Sequence, residues 1–420
     1  MIYNSTQFLE HFQSSCAFDM QCHDQVAAIC NRVQQDGDVA LYDYNLQFDG
    51  VMTQELEVPQ SELQNAYDTL DTHLRNALEH SYQRIHDYQT HIRYNNQEPY
   101  QNMYEVYHPI SSVGIYVPGG KASYPSTVLM TATLARVAGV KEIIVVTPPQ
   151  KDGIAQSVLA ACHIVGVDHV YQVGGAQSIA ALAYGTATIP KVDKIVGPGN
   201  QYVAYAKKLV YGEVGIDQIA GPSEIALIID QSCDLEAVVY DVLAQAEHDE
   251  MARTYVISTD MLLLERLESR LSEVAATTER QDIIATSLEQ HHYAIYAPTF
   301  KVCCDIMNTI APEHASIQTE QPQDYVPYIH YVGSLFLGGY APEAIGDYIA
   351  GPSHVLPTNR TARFQHGLSV NDFLTKHTVI QLDKKTYNQT YRDAAYIAQD
   401  EALYNHEQSL KIRMRGTHDD

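Results

Sequence analysis

The chain has 420 residues, room for two or three domains of about 150 residues each and for a large core without disulfide staples. Hydrophobic residues make up 45% and charged residues 18%, the balance of a soluble globular protein rather than a disordered or fibrous one. Lys and Arg total 26 against 51 Asp and Glu, and the net charge of −25 repels phosphate backbones and anionic membranes. The start, Met-Ile-Tyr-Asn-Ser-Thr-Gln, has neither a basic segment nor an apolar run, so no signal peptide is expected. Residues 1–111 read as mostly helical. Leu63, Ala66, Leu70, Leu74, Leu78, Tyr82 and Ile85 recur at helical spacing across 61–92, behind the start signals Pro59 and Ser61.

The pattern changes over 112–222. Short apolar runs at 113–117, 142–147, 169–173 and 194–196 each meet a glycine or proline turn, and most turns lead into a helical pattern. Strand, turn and helix in repetition predict a parallel sheet with helices on its faces. The longest apolar region, 127–146, is broken by Arg136, Lys141 and Glu142 and is no membrane span. Over 223–366 the pattern resumes with strands at 224–229, 254–257, 293–296, 315–318 and 332–337, and helices at 235–248, 262–274 and 299–309. The expected fold is α/β: two Rossmann-like parallel-sheet domains, a helical N-terminal segment and a helical C-terminal tail over 367–420. Part of the N-terminal segment is expected to pack on the second α/β domain. Seven cysteines (Cys16, Cys22, Cys30, Cys162, Cys233, Cys303 and Cys304) form no CxxC pair. Their odd number fits a reducing cytoplasm, not a disulfide framework or a thiolate zinc site.

Five constellations carry chemistry, each beside a plainer alternative. Glycine turns after strands offer backbone N–H groups to an anion, as a dinucleotide pyrophosphate requires. No full GxGxxG occurs, since Gly197-Pro198-Gly199 meets Tyr202 at the third position, and ordinary strand-to-helix turns explain them equally well. Gln245 and His248, three apart, can present an amide oxygen and an imidazole to one metal ion, or simply end a solvated helix. Glu313-His314 supplies two bases for separate proton transfers, or ends a helix behind Pro312. Glu343, Asp347 and His354 crowd a glycine-rich polar segment, where caps and turns also use such residues. Glu401 and His406 lie in the charged tail, five apart, and do not share a helix face neatly.

Taken together and in order, Tyr116-Val-Pro-Gly-Gly, Val173-Gly-Gly-Ala-Gln177, Gly197-Pro-Gly-Asn200, Ala220-Gly-Pro-Ser-Glu224, Gln245-Ala-Glu-His248-Asp249, Pro312-Glu-His314, Gly346-Asp-Tyr348, Gly351-Pro-Ser-His-Val-Leu-Pro-Thr358 and 401–406 resemble the histidinol dehydrogenase family. The resemblance implies NAD-dependent oxidation of L-histidinol through L-histidinal to L-histidine, the final steps of histidine biosynthesis. It implies Zn2+ held by Gln245, His248, Asp347 and His406, a set of nitrogen and oxygen donors that agrees with the unpaired cysteines. It makes Glu313 and His314 the catalytic pair, with His314 as proton acceptor for the alcohol and Glu313 as the base that activates water. Tyr116, Gln177 and Asn200 match NAD contacts in 112–222. Ser223, Gln245, His248, His314, Asp347, Glu401 and His406 match substrate contacts, with Glu343 and His354 as weaker matches for that pocket. The second domain, 223–366, would carry the zinc and catalytic residues. The tail would reach the partner subunit of a homodimer, sharing the active site; Tyr404 is bulkier there than the family pattern. Rival readings are an NAD-dependent dehydrogenase of another amino alcohol, a zinc hydrolase on the same fold, and a non-catalytic NAD sensor.

Overall fold

A computed structural model describes residues 2–12, 20–100, 102–119 and 123–414; Cys16, Gly120 of the first glycine string and the tail beyond Met414 lie outside them. The chain divides into two compact units: Met1–Arg93 with Pro109–Phe373, and Tyr94–His108 with Leu374–Asp420.

The larger unit contains two parallel sheets. In the first, the strands run in the order His169–Gln172, Glu142–Thr147, Ser112–Tyr116, Lys194–Val196, Gly215–Ile216. The chain starts in the middle, winds outward to one edge, then returns to the other side of its first strand. The order reverses between Ser112–Tyr116 and Lys194–Val196, and such a switch point opens a crevice at the carboxyl ends of the strands. The strands are buried nearly throughout, which explains their continuous apolar runs. One face packs against helix Gly175–Tyr184, and helix Met20–Asp36 lies on that helix and on Gln201–Val210 within the same buried cluster. Cys22, Val26, Cys30 and Val33 supply the helical stripe and meet Ile144, Val146, Ile179 and Ile195.

The second sheet repeats the plan: His292–Tyr296, Arg253–Ser258, Glu224–Ile229, His314–Gln318 and Ser334–Leu337 lie in the same reversed order. Alternation along Glu224–Ile229 sends Ile225, Leu227 and Ile229 toward helices Leu235–Ala246 and Met261–Ala275. Ala226 and Ile228 face helix Phe300–Ile310 and Phe8. Each fully buried side chain of this kind stabilises the fold by about 1.5–3 kcal/mol. The helix starts are fixed by Asp234, Asp260 and Thr299, whose side chains accept from backbone N–H groups of their first turns.

Several elements differ from the sequence expectation. Ile2–Asn4 is a strand, pairing with His292–Tyr296 at the outer edge of the second sheet. The 61–92 stretch is two helices, Gln60–Thr69 and Thr72–Ile92; Asp71 caps the second, and its acceptance of the His73 and Leu74 N–H groups breaks the run. A further helix occupies Gln281–His291. In the smaller unit the tail does not begin as helix: Leu374–Ile380 pairs with Met103–Pro109, and helices Lys384–Asp400 and Tyr404–Lys411 follow. Cys30, Cys162, Cys303 and Cys304 form no disulfide and are buried, and burial pushes the Cys30 and Cys162 thiols up to about 12, so these two are core residues rather than reactive thiols. Among the described residues no helix is long and apolar enough to cross a membrane.

Candidate active site

The site residues gather at two sheet ends that one connector brings together. Strand Gly215–Ile216 finishes at the carboxyl edge of the first sheet, and residues 217–223 lead directly into the amino end of Glu224–Ile229 in the second. That short connector spans at most about 25 Å. The loop before strand Ser334–Leu337 and the loop after Ser353 support this region: Gln218 Nε2 donates to the Leu356 carbonyl, the Gly221 N–H to Thr358 Oγ1 at 2.6 Å, and the Asn359 N–H to Glu224 Oε1 at 2.9 Å.

At the first sheet's carboxyl edge stand the three residues expected to meet a dinucleotide. Tyr116 ends its strand, is buried, and accepts the Gly175 N–H on its hydroxyl at 3.4 Å; burial pushes its pKa up to about 12. Gln177 lies buried in the first turn of helix Gly175–Tyr184. Asn200 caps helix Gln201–Val210, accepting the Val203 N–H at 3.2 Å. Tyr116 and Asn200 flank the switch point. Gly197 between them has φ +112°, and a Cβ there would lie 2.2 Å from the Tyr116 carbonyl oxygen, so only glycine permits this approach.

In the second sheet the chemistry sits at the opposite end. At its carboxyl end Asp230 ties the loops after two neighbouring strands, accepting the Ser232 and Glu320 N–H groups at 2.9 and 3.0 Å. The catalytic candidates occupy the amino ends of the two central strands. Helix Phe300–Ile310 stops at Ala311 with φ +46°, Pro312 prevents resumption, and Glu313-His314 enters the next strand. Both side chains are almost fully buried. Glu313 Oε2 accepts the Glu224 N–H at 3.1 Å, and its carboxyl bonds the Ser223 side chain. Burial drives the Glu313 pKa well above the usual carboxylate range.

His314 lies among acids. Its Nδ1 is 3.9 Å from Glu313 and 3.8 Å from Glu343, and its Nε2 is 3.8 Å from Asp347. Burial nevertheless lowers its pKa to about 3, with His248 and His354 adding repulsion. The acids move the other way: burial raises Glu343 far above its ordinary value, Asp347 to about 7 and Glu224 to about 7. Burial thus shifts every member of the cluster toward its uncharged form.

Helix Leu235–Ala246 packs against helix Glu343–Tyr348 beside it. His248, Glu343 and Asp347 each bring one ligand atom to within 4.8 Å of the others. Gln245, in the helix's last turn, is fully buried, and neither its amide oxygen nor its nitrogen has a partner. Buried amides are ordinarily bonded. An orphaned Gln245 next to a three-residue ligand cluster is therefore the geometry a cation would satisfy, and the donors fit zinc in type. His248 shares the backbone turn with Gln245, its N–H donating to the Gln245 carbonyl at 3.2 Å.

Of the expected ligands, Gln245, His248 and Asp347 belong to the larger unit. His406 belongs to the smaller, where it and Glu401 are exposed. They do not share a helix: Glu401 ends Lys384–Asp400, Ala402 turns at φ +57°, and His406 lies in Tyr404–Lys411. His354 is tied down on both ring nitrogens, to the Asp347 carbonyl at 3.1 Å and Thr127 Oγ1 at 3.4 Å, which links it to the backbone of the helix that carries Asp347. Sequence reasoning missed Glu224, whose backbone holds Glu313. The signal was its place at the end of Ala220-Gly-Pro-Ser-Glu224, directly before a buried strand.

Two sheets of reversed strand order, joined by one short connector that enters a central strand of the second, with a buried acid–histidine pair at the amino end of the neighbouring strand, make a doubly wound α/β fold with a candidate acid–base site. The family model for histidinol dehydrogenase matches residues 13–414. Histidinol dehydrogenase of Staphylococcus epidermidis is 62% identical over 411 residues, covering 98% of this chain and 99% of that protein. The enzyme of Staphylococcus aureus strain COL is 60% identical over 412 residues, with 98% and 99% covered. The crystal structure of histidinol dehydrogenase from Elizabethkingia anophelis superposes with a TM-score of 0.91 at 32% identity, covering 96% of this chain and 93% of that one. The chain belongs to the histidinol dehydrogenase family.

Proposed function

We propose that this protein oxidises L-histidinol to L-histidinal and then to L-histidine, with NAD as oxidant and Zn2+ at the Gln245–His248–Asp347 cluster. The observation that carries this reading is the buried Glu313-His314 pair beside an orphaned Gln245, in a chain of this family. When bound, the dinucleotide supplies the hydride acceptor and the metal a positive anchor for the substrate's imidazole and amine.

The chain's own residues then have distinct tasks. His314 is held neutral by burial, so an imidazole nitrogen is free to take the alcohol proton as hydride departs. The low pKa makes it a transient holder that passes the proton on. Glu313, in its ionised form, which burial makes a stronger base, takes a proton from water as the water attacks the aldehyde, and His314 accepts the hydroxyl proton of the hydrate in the second oxidation. Ser223 and the Glu224 N–H fix the Glu313 carboxyl for that step. Glu343, 3.8 Å from Nδ1, orients the ring. Tyr116, Gln177 and Asn200 form the NAD contacts. Glu401 receives the substrate ammonium and His406 completes the ligand set, both supplied by the partner subunit of a homodimer.

The test is NADH formation from limiting L-histidinol, with and without a chelator. Two NADH per histidinol, histidine as product and loss of activity on chelation are expected. One NADH per histidinol would remove the role given to Glu313. A folded, zinc-loaded protein that yields none acts on another substrate or is a hydrolase.

A further inference from the structure

Lys207 and Asp217 form an ion pair whose side chains are only 4% and 3% exposed, with Nζ 2.7 Å from Oδ1. A buried pair is weak evidence for stability, because desolvation offsets much of the attraction. What distinguishes this one is where its remaining hydrogen bonds go. Lys207 Nζ donates to the Gly197 carbonyl at 2.5 Å, and Asp217 Oδ2 accepts the Gly197 N–H at 2.8 Å. Both backbone polar groups of one glycine are thus gripped by one ion pair. Gly197 opens the turn that leads to Asn200, at the switch point of the first sheet and against the Tyr116 carbonyl.

We propose that Lys207 and Asp217 are positioning residues for the dinucleotide, setting the Gly197–Asn200 turn through Gly197 without touching the cofactor. The inference rests on the NAD reading above. The turn begins one residue beyond the last ladder pair, Ile115 with Val196, and glycine at φ +112° is the residue with most conformational freedom to lose. The ion pair removes that freedom before the cofactor arrives, and such preorganisation lowers the cost of binding. Asp217 also accepts the Gln218 N–H at 2.6 Å, so the pin sits at the root of the connector to the catalytic strands.

The test is a calorimetric NAD titration of the zinc-loaded protein, with melting curves of the same samples. Lys207→Met with Asp217→Leu replaces the pair by apolar side chains of similar length, a change that buried pairs often tolerate. The expected result is a folded protein whose melting temperature falls by a few degrees, because the Gly197 and Gln218 backbone groups lose their partners, with an NAD Kd weakened about tenfold, the loss of one or two oriented hydrogen bonds. Asp217→Asn, which keeps an acceptor for the Gly197 N–H, is expected to fall between the two and serves if the double variant does not fold. A folded variant with the parent's Kd within twofold overturns the proposal and leaves a purely structural pair. A parent that binds no NAD overturns the underlying reading instead.

Discussion

Gln245 shows how one side chain carries a functional argument. A buried amide with no partner costs about 1–3 kcal/mol in a metal-free protein. Gln245→Met removes that cost at similar volume. It is therefore expected to raise the melting temperature of the metal-free protein by about 2 °C or more while abolishing the stabilisation given by zinc. A lower melting temperature without metal would mean that Gln245 has partners and serves packing alone. Glu313→Gln keeps the shape and the Glu224 N–H contact but removes the base. The second oxidation is expected to slow about 100-fold or more, with the first affected less, so the NADH yield per histidinol falls by half over the assay. Equal slowing of both steps would place Glu313 elsewhere in the chemistry. Glu313-His314 was legible as a pair because the residues adjoin behind a proline. Glu224 was not, because its contribution to Glu313 is a backbone N–H, which every residue but proline possesses.

The raised carboxyl groups belong to elements rather than to single positions. Glu224 starts a strand, Asp347 lies in the helix beside it, and Asp241 lies on helix Leu235–Ala246, pushed up to about 6 by burial. Each binds its proton more tightly in the native state than in the unfolded chain. Their contribution is therefore whole below the ordinary carboxylate range, about pH 4, and is lost as the pH rises through 6 and then 7. Buried His314 and His354, whose pKa values burial lowers to about 3 and about 4, act in the opposite sense below about pH 6.5, so the metal-free protein is expected to melt at progressively lower temperature between about pH 6.5 and pH 8, and zinc, by displacing the Asp347 proton, to flatten that slope. A flat profile without metal would show that these acids are already paired. Elements buried on both faces were readable from their apolar runs, as with Glu142–Thr147 and Glu224–Ile229. Ile2–Asn4 and Leu374–Ile380 were not: three residues show no periodicity, and Leu374–Ile380 is largely exposed and carries Lys376 and His377. Glu401 and His406 looked like one helix because the spacing hides the turn at Ala402.

For the whole molecule, the shared-site reading makes a quantitative claim. If the tail completes its partner's site, exchanging Glu401→Ala with His314→Ala protein builds one intact site in each mixed dimer. About a quarter of the parent activity is then expected after random exchange, and none if each subunit uses its own tail. Two sheets share the same reversed order, and the candidate residues stand at the carboxyl ends of the strands in one and at the amino ends in the other. The strand Ile2–Asn4 brings a consequence of timing. Ile2 pairs with Ala294, so roughly 290 residues must leave the ribosome before the first strand finds its place, about 15–60 s at ordinary rates of synthesis. Until then Ile2–Asn4 has no ladder to join, and its backbone N–H and C=O groups bond to water instead.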